Sequence, residues 1–207
     1  MRYFHKSAGH TNPRPFGKRR FEHWYRDNTA YFITASTRGH ARCFETDEAK
    51  WIFWDRFEHY TREHAFETWV VTPMDTHYHF IGHLRNGKSL GEMMRKLHGP
   101  VAKLVNDTLE DRHRPFWRDK GGMDYFDGCL RDARQLRKAY CYTQLQSERH
   151  GVCRDWSTYK HTRIYVPLHR CAKYAVEREV FMSEVEYARY PGKGSRKRVS
   201  KHSRHAH

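Results

Sequence analysis

Two runs of apolar, aromatic and β-branched residues, Phe66–Thr72 and Tyr78–Leu84, stand in succession with only Pro73–Thr76 and His77 between them. Runs of this composition read as strands, and so short a connection can join two strands only as an antiparallel pair. The chain is thereby committed to an antiparallel sheet. The second strand opens on His77-Tyr78-His79. Strand side chains alternate, so the two imidazoles face one way and Tyr78 faces the other, toward a core. Two neutral imidazoles on one face are placed to share a cation. Spacing alone proves little, because random placement of histidines would give about 1.4 His-x-His pairs. The chain has two, the other being His205/His207.

Around this hairpin the pattern extends in both directions. Ala30–Ser36 reads as a strand, and Asp47–His64 carries Trp51, Trp54, Phe57 and Tyr60 at helical spacing. Ser89 precedes an amphipathic helix running to about Leu109, with Leu90, Met93, Met94, Leu97, Val101, Leu104 and Val105 on one side and a possible disturbance at Gly99-Pro100. A short strand around Gly122–Phe126 and a helix from Asp132 to Glu148 follow. Strand, helix, strand, strand, helix, strand, helix is the split-βαβ order of a ferredoxin-like α+β fold, with helices on one face of an antiparallel sheet. The expected organisation is a basic arm over 1–20, a folded domain over 21–165, a helical extension over 166–190 containing the segment Cys171–Arg189, and a basic flexible tail over 191–207.

Charge narrows the partner. The 39 Lys and Arg against 24 Asp and Glu leave +15, which attracts polyanions, nucleic acid first. A mean hydropathy of −1.02 and the lack of a run of about 18 apolar residues argue against a membrane partner. The N-terminus Met1–Lys6 lacks the apolar stretch of a signal peptide. The expected location is therefore cytoplasmic, with the nucleoid. Five scattered cysteines without Cys-x-x-Cys spacing read as free thiols. Lys18, Arg19, Arg20, Trp24 and Arg26 near the arm, Arg131, and Arg196, Lys197 and Arg198 in the tail are candidates to grip a nucleic-acid backbone or stack on bases.

The stretch Trp69-Val70-Val71-Thr72-Pro73-Met74-Asp75-Thr76-His77-Tyr78-His79-Phe80-Ile81 resembles the strand–turn–strand of the REP-associated tyrosine transposases, which belong to the single-tyrosine HUH endonucleases. It departs at the turn, where Asp75-Thr76 replaces Pro-Asn. Downstream, Ser89-Leu90 with Met94-Arg95-Lys96-Leu97 is similar to the family's second helix. Phe116-Trp117 and Tyr125-Phe126-Asp127 with Leu130-Arg131-Asp132 are similar to its aromatic link. Tyr142-Thr143-Gln144-Leu145-Gln146 falls where the family has its tyrosine helix, and Asp155-Trp156-Ser157-Thr158-Tyr159 matches the segment after it. The likeness spans about Ala30–Tyr159, with its parts in order.

Helical geometry adds a separate observation. At about 100° per residue, Ala133, Leu136 and Tyr140 share a stripe, whereas Tyr142 lies on a polar face with Gln146 four residues on. Tyr140 is thus the core tyrosine. The resemblance implies that Tyr142 is the nucleophile, that Gln146 is a third ligand beside His77 and His79, and that the fold is an HUH palm. It also implies Mg²⁺ or Mn²⁺ as cofactor, and as partner single-stranded or hairpin DNA carrying palindromic repeats, cleaved through a 5′-phosphotyrosine. Two imidazoles and an amide leave a divalent cation its full charge and open positions for phosphate, unlike a closed thiolate zinc site. Rival readings are a non-catalytic DNA-binding protein of the same fold, a rolling-circle initiator and a split-βαβ RNA-binding protein. Monomer and homodimer both stay open.

Overall fold

A computed structural model of the chain describes residues 24–118, 124–183 and 185, with the backbone of His5–Lys6. Its centre is a five-stranded sheet of β1 (Thr29–Ser36), β2 (Glu67–Pro73), β3 (His77–Leu84), β4 (Phe126–Leu130) and β5 (Arg163–Ile164). Spatial order is β4-β1-β3-β2-β5, and every neighbouring pair is antiparallel. The helices are α1 (Asp47–Glu63), α2 (Ser89–Thr108), α3 (Ala133–Gln144), α4 (Gln146–Arg149) and α5 (Leu168–Glu177). The first four strands and α1 and α2 therefore follow the split-βαβ arrangement expected from the sequence. Among the described residues no helix is long and apolar enough to cross a membrane.

Two of the helices begin at side-chain caps. Thr46 caps α1 by accepting from Ala49 N at 3.2 Å, and Asp47 and Glu48 sit in its first turn, where the helix dipole favours negative charge. Asp132 caps α3 by accepting from Gln135 N at 2.7 Å. Helix α2 runs through Pro100 without interruption, its Leu90, Met93, Met94 and Leu97 buried.

Helices cover both faces of the sheet, not one as the sequence suggests. On one face Tyr31, Ile33, Tyr78 and Phe80 meet α1 and α2 through residues such as Phe53, Phe57 and Met93. Each fully buried side chain of this size contributes about 1.5–3 kcal/mol. On the other face Trp69, Val70 and Ile81 meet Leu136 and Tyr140 of α3 and Cys171 and Ala175 of α5. A bulge between Thr68 and Val70 puts Trp69 and Val70 on that same face, which widens the second core. The segment read as a helical extension accordingly contributes to a core, through a helix, Leu168–Glu177, that starts three residues before the expected Cys171–Arg189; residues 184 and 186–189 of that range lie outside the described residues.

Two other boundaries move. The last strand of the split-βαβ unit is Phe126–Leu130; of the expected Gly122–Phe126, residues 122–123 lie outside the described residues, and the strand runs on past Phe126 because Asp127-Gly128, a turn signal in isolation, pairs with Ile33 and Phe32 of β1. The expected helix Asp132–Glu148 is two helices, parted at Leu145 (φ −91°, ψ 14°). All five cysteines are free thiols, as expected.

Candidate active site

The pleat of β3 sends His77 and His79 to the α3 face and Tyr78 into the α1–α2 core, where it is 1% exposed. Register fixes their neighbours. Phe126, Thr34, His79 and Thr72 form one row across β4, β1, β3 and β2, while Ser36 lies opposite His77. The hairpin turn is tied down from outside. Asp75 accepts from Lys50 Nζ and from Arg42 Nη2, each at 2.8 Å, and its carbonyl accepts from Phe44 N at 2.9 Å. Burial pushes the Asp75 carboxyl up, but Lys50 and Arg42 outweigh it and hold the group below the usual carboxylate range. The Asp75-Thr76 departure from the transposase turn thus has a job: Asp75 anchors the turn, and Thr76 Oγ1 lies 2.9 Å from His77 Nδ1 and orients that ring.

Helix α3 crosses the same face. Tyr140 is buried and donates to Val166 O at 2.8 Å, whereas Tyr142 is 38% exposed, with its ring 5.1 Å from that of His79. Gln146, fully buried at the start of α4, donates from Nε2 to Tyr142 O at 2.9 Å. That bond orients the amide, leaving Oε1 at 3.2 Å from His77 Nε2. The two histidine rings are 5.0 Å apart. His77, His79, Tyr142 and Gln146 therefore converge, with the break at Leu145 preserving the four-residue spacing between tyrosine and amide.

His79 is 5% exposed, and neither of its ring nitrogens has a hydrogen-bond partner. A buried imidazole with both nitrogens unsatisfied is costly unless something else takes a lone pair. A separation of 3.2 Å between Gln146 Oε1 and His77 Nε2 is close to the about 3 Å between adjacent oxygen or nitrogen ligands of an octahedral cation bound at about 2.1 Å. The residues fit a divalent cation. No cluster of three or more His, Cys, Asp or Glu suited to a metal occurs among the described residues, so such a site would need the amide.

Burial, aided by the charges of His77 and His150, pushes the His79 pKa down to about 3, and burial lowers His77, His83 and His161 as well. All are neutral at pH 7, the state a ligand needs. Stability follows with a definite sign. Above pH 6.5 His79 is neutral in both the folded and unfolded chains, but below it only the unfolded chain takes up the proton. Stability present at pH 7 is therefore lost as pH falls from about 6.5 toward 3. At pH 5 the His79 share is about 2 kcal/mol. Denaturant unfolding of wild type at pH 7 and pH 5 should show this loss, and His79→Gln should reduce it by about that amount; an equal loss in both proteins would contradict a buried neutral His79.

A cleft of about 380 Å³ opens beside the nucleophile candidate, lined by Phe32, Phe126, Tyr142, His79, Arg118 and Asp124 among others. Arg149 stacks on the outer side of Tyr142, its guanidinium 4.8 Å from the ring centre. Sequence reasoning missed Phe32, Arg118, Asp124 and Arg149. The alternation of β1 could have placed Phe32 on the histidine face; nothing local marks the others.

The expected DNA contacts fare differently. Lys18, Arg19, Arg20, Arg196, Lys197 and Arg198 lie outside the described residues, as does the side chain of Trp24. Arg26 is not a surface contact: it is 5% exposed and donates to Thr29 Oγ1 and, at 2.8 Å, to Val180 O, fastening the start of β1 to the chain after α5. Arg131 is half-buried at the β4–α3 junction.

The chain thus folds as an antiparallel split-βαβ sheet whose His77-Tyr78-His79 strand lies beneath α3. No family model and no curated protein matches the sequence. Among solved structures, a REP-associated tyrosine transposase bound to a REP hairpin is similar, with 17% identity over 80% of this chain and 88% of that one and a TM-score of 0.56. A protein of Deinococcus radiodurans R1 described as a candidate transposase matches 56% of this chain and 89% of that one at 14% identity, with a TM-score of 0.41. The chain has the fold of the REP-associated tyrosine transposase.

Proposed function

We propose that the protein is a metal-dependent, single-strand DNA endonuclease and strand transferase that acts beside palindromic repeat hairpins. One observation carries the reading: Gln146 Oε1 lies 3.2 Å from His77 Nε2 while the same amide holds the backbone of Tyr142, whose ring stands over His79. The hairpin seen with the similar transposase supports the choice of substrate. His77, His79 and Gln146 would hold Mg²⁺ or Mn²⁺, which when bound supplies positive charge to a nonbridging phosphate oxygen. Tyr142 is presented at the surface, where a single strand can bring its phosphate within reach. Its phenolic oxygen attacks phosphorus and forms the Tyr–phosphate bond as the bond to the 3′-oxygen breaks. The phenol proton passes to solvent, and the departing 3′-oxygen takes up a proton. One phosphodiester is exchanged for another of similar energy, so a new 3′-hydroxyl can reverse the step without ATP. Arg118, beside the cleft, offers a cation to the flanking backbone.

Incubation with Mg²⁺ and single-stranded oligonucleotides carrying a palindrome and its flanks tests this reading, chelator serving as control. Site-specific cleavage that chelator abolishes supports it, and cleavage indifferent to chelator refutes the metal site. Gln146→Ala removes one of three ligands and the hydrogen bond to Tyr142 O. It should raise the Mg²⁺ concentration needed for half-maximal cleavage roughly tenfold or more while leaving residual activity. An unchanged Mg²⁺ requirement would remove Gln146 from the site.

A further inference from the structure

The cleft beside Tyr142 contains a group that phosphate binding does not explain. Asp124 lines it, and a carboxylate repels a phosphodiester backbone. The group is held in place from the protein interior. Its Oδ2 lies 2.5 Å from Nδ1 of His98, a buried ring on α2, and the opposite nitrogen of that ring faces the hydroxyl of Tyr78 in the core. Trp117 stacks on His98 at 4.1 Å and donates from Nε1 to His98 O, so the ring that positions Asp124 is itself fixed.

The rest of the cleft wall is aromatic. Phe126, 37% exposed, meets Phe32 edge-on at 6.4 Å, and Phe32 lies parallel to His79 at 5.7 Å. Gly128, opposite Phe32 across the strands, adds no side chain over it. A chain of +15 charge attracts polyanions, and Arg118, whose backbone N–H donates to Ser36 O at 2.7 Å, sets a cation at the rim of this cleft. Aromatic faces to stack on, a cation for the backbone and an acceptor for the base edge can together hold one unstacked nucleotide.

The geometry points to a nucleobase subsite in this cleft, in which Phe126 and Phe32 supply the stacking surface and Asp124 accepts from an exocyclic amino group on the base. It rests on the single-strand DNA reading above and adds the discrimination among bases. Asp124 is a specificity residue, not a catalytic one. Cytosine presents an amino donor on its pairing edge; thymine presents a carbonyl at that position, which a carboxylate repels. The subsite therefore favours cytosine, or another amino-bearing base, over thymine.

Fluorescence anisotropy of the full chain with labelled deoxycytidylate and deoxythymidylate oligomers about twelve residues long, in chelator so that no cleavage intervenes, tests the inference. Wild type should bind the cytidylate oligomer about tenfold more tightly. Replacing cytosine by N4,N4-dimethylcytosine, which has no N4 donor, should abolish that preference in the unaltered protein, so this arm does not depend on any variant folding. Asp124→Asn should level the two affinities, and Phe126→Leu should weaken both by roughly 5- to 50-fold without changing their order. Equal wild-type affinities, or a preference that survives dimethylation or Asp124→Asn, would overturn the subsite while leaving the nuclease reading standing. Failure to bind any single strand would overturn both.

Discussion

Tyr142→Phe should form no covalent protein–DNA adduct. With Mg²⁺ and a single-stranded oligonucleotide bearing the cleavage site, wild type should yield a species that survives denaturation and keeps label placed 3′ of the cut, as a 5′-phosphotyrosine requires. The substitution deletes one oxygen and leaves the ring against Phe32, His79 and Arg149, so fold and DNA affinity should be nearly unchanged. Loss of a nucleophile removes the chemical path itself, and the rate should fall by about 10⁴-fold or more. Tyr140→Phe is the matched control. Its hydroxyl donates to Val166 O inside the second core, so it should cost about 1 kcal/mol of stability and little activity. DNA mapped to Tyr140 would mean that the buried tyrosine reaches the cleft. Cleavage without any adduct would make the enzyme hydrolytic and sink the transferase reading.

The residues that converge were legible for unequal reasons. His77 and His79 follow from strand alternation, since a strand with one side in the core must turn its odd residues the other way. Helical phase separates Tyr140 from Tyr142 and allows Gln146 to sit one turn beyond. Which of these groups meet was not legible from phase. It depends on α3 packing on the face opposite α1 and α2, and that follows from long-range contacts of Leu136 and Tyr140 with Trp69 and Ile81. Arg26 shows the limit most plainly. In a basic N-terminal context it reads as a surface cation, yet its partner Val180 is 154 positions away in sequence. The β4 boundary failed for a related reason: Asp127-Gly128 is a turn in isolation and a strand once β1 offers its edge. The Asp124–His98–Tyr78 connection likewise joins three elements that no local pattern relates.

His77→Ala and His79→Ala should each lower Mg²⁺-dependent cleavage by about 10³-fold, the order expected when several kcal/mol of charge stabilisation is withdrawn. DNA affinity at fixed salt should change by no more than about threefold, because binding sums many backbone contacts and these rings are buried. The two variants should differ in stability. His77 shares hydrogen-bond geometry with Thr76 and Gln146, so its removal strands a buried amide oxygen at a cost of about 1–3 kcal/mol. His79 leaves both ring nitrogens without a hydrogen-bond partner, so truncating it relieves an unsatisfied polar group, which offsets the packing lost against Phe32, Tyr142 and His77. His79→Ala should therefore be the cleaner separation of function from fold, inactive yet close to wild type in unfolding free energy at pH 7. Calorimetric titration with Mn²⁺ should show binding to wild type and its loss in both variants. Wild-type cleavage rates in both would remove the metal site, whereas lost cleavage with intact Mn²⁺ binding would assign the histidines to contacts with the DNA instead.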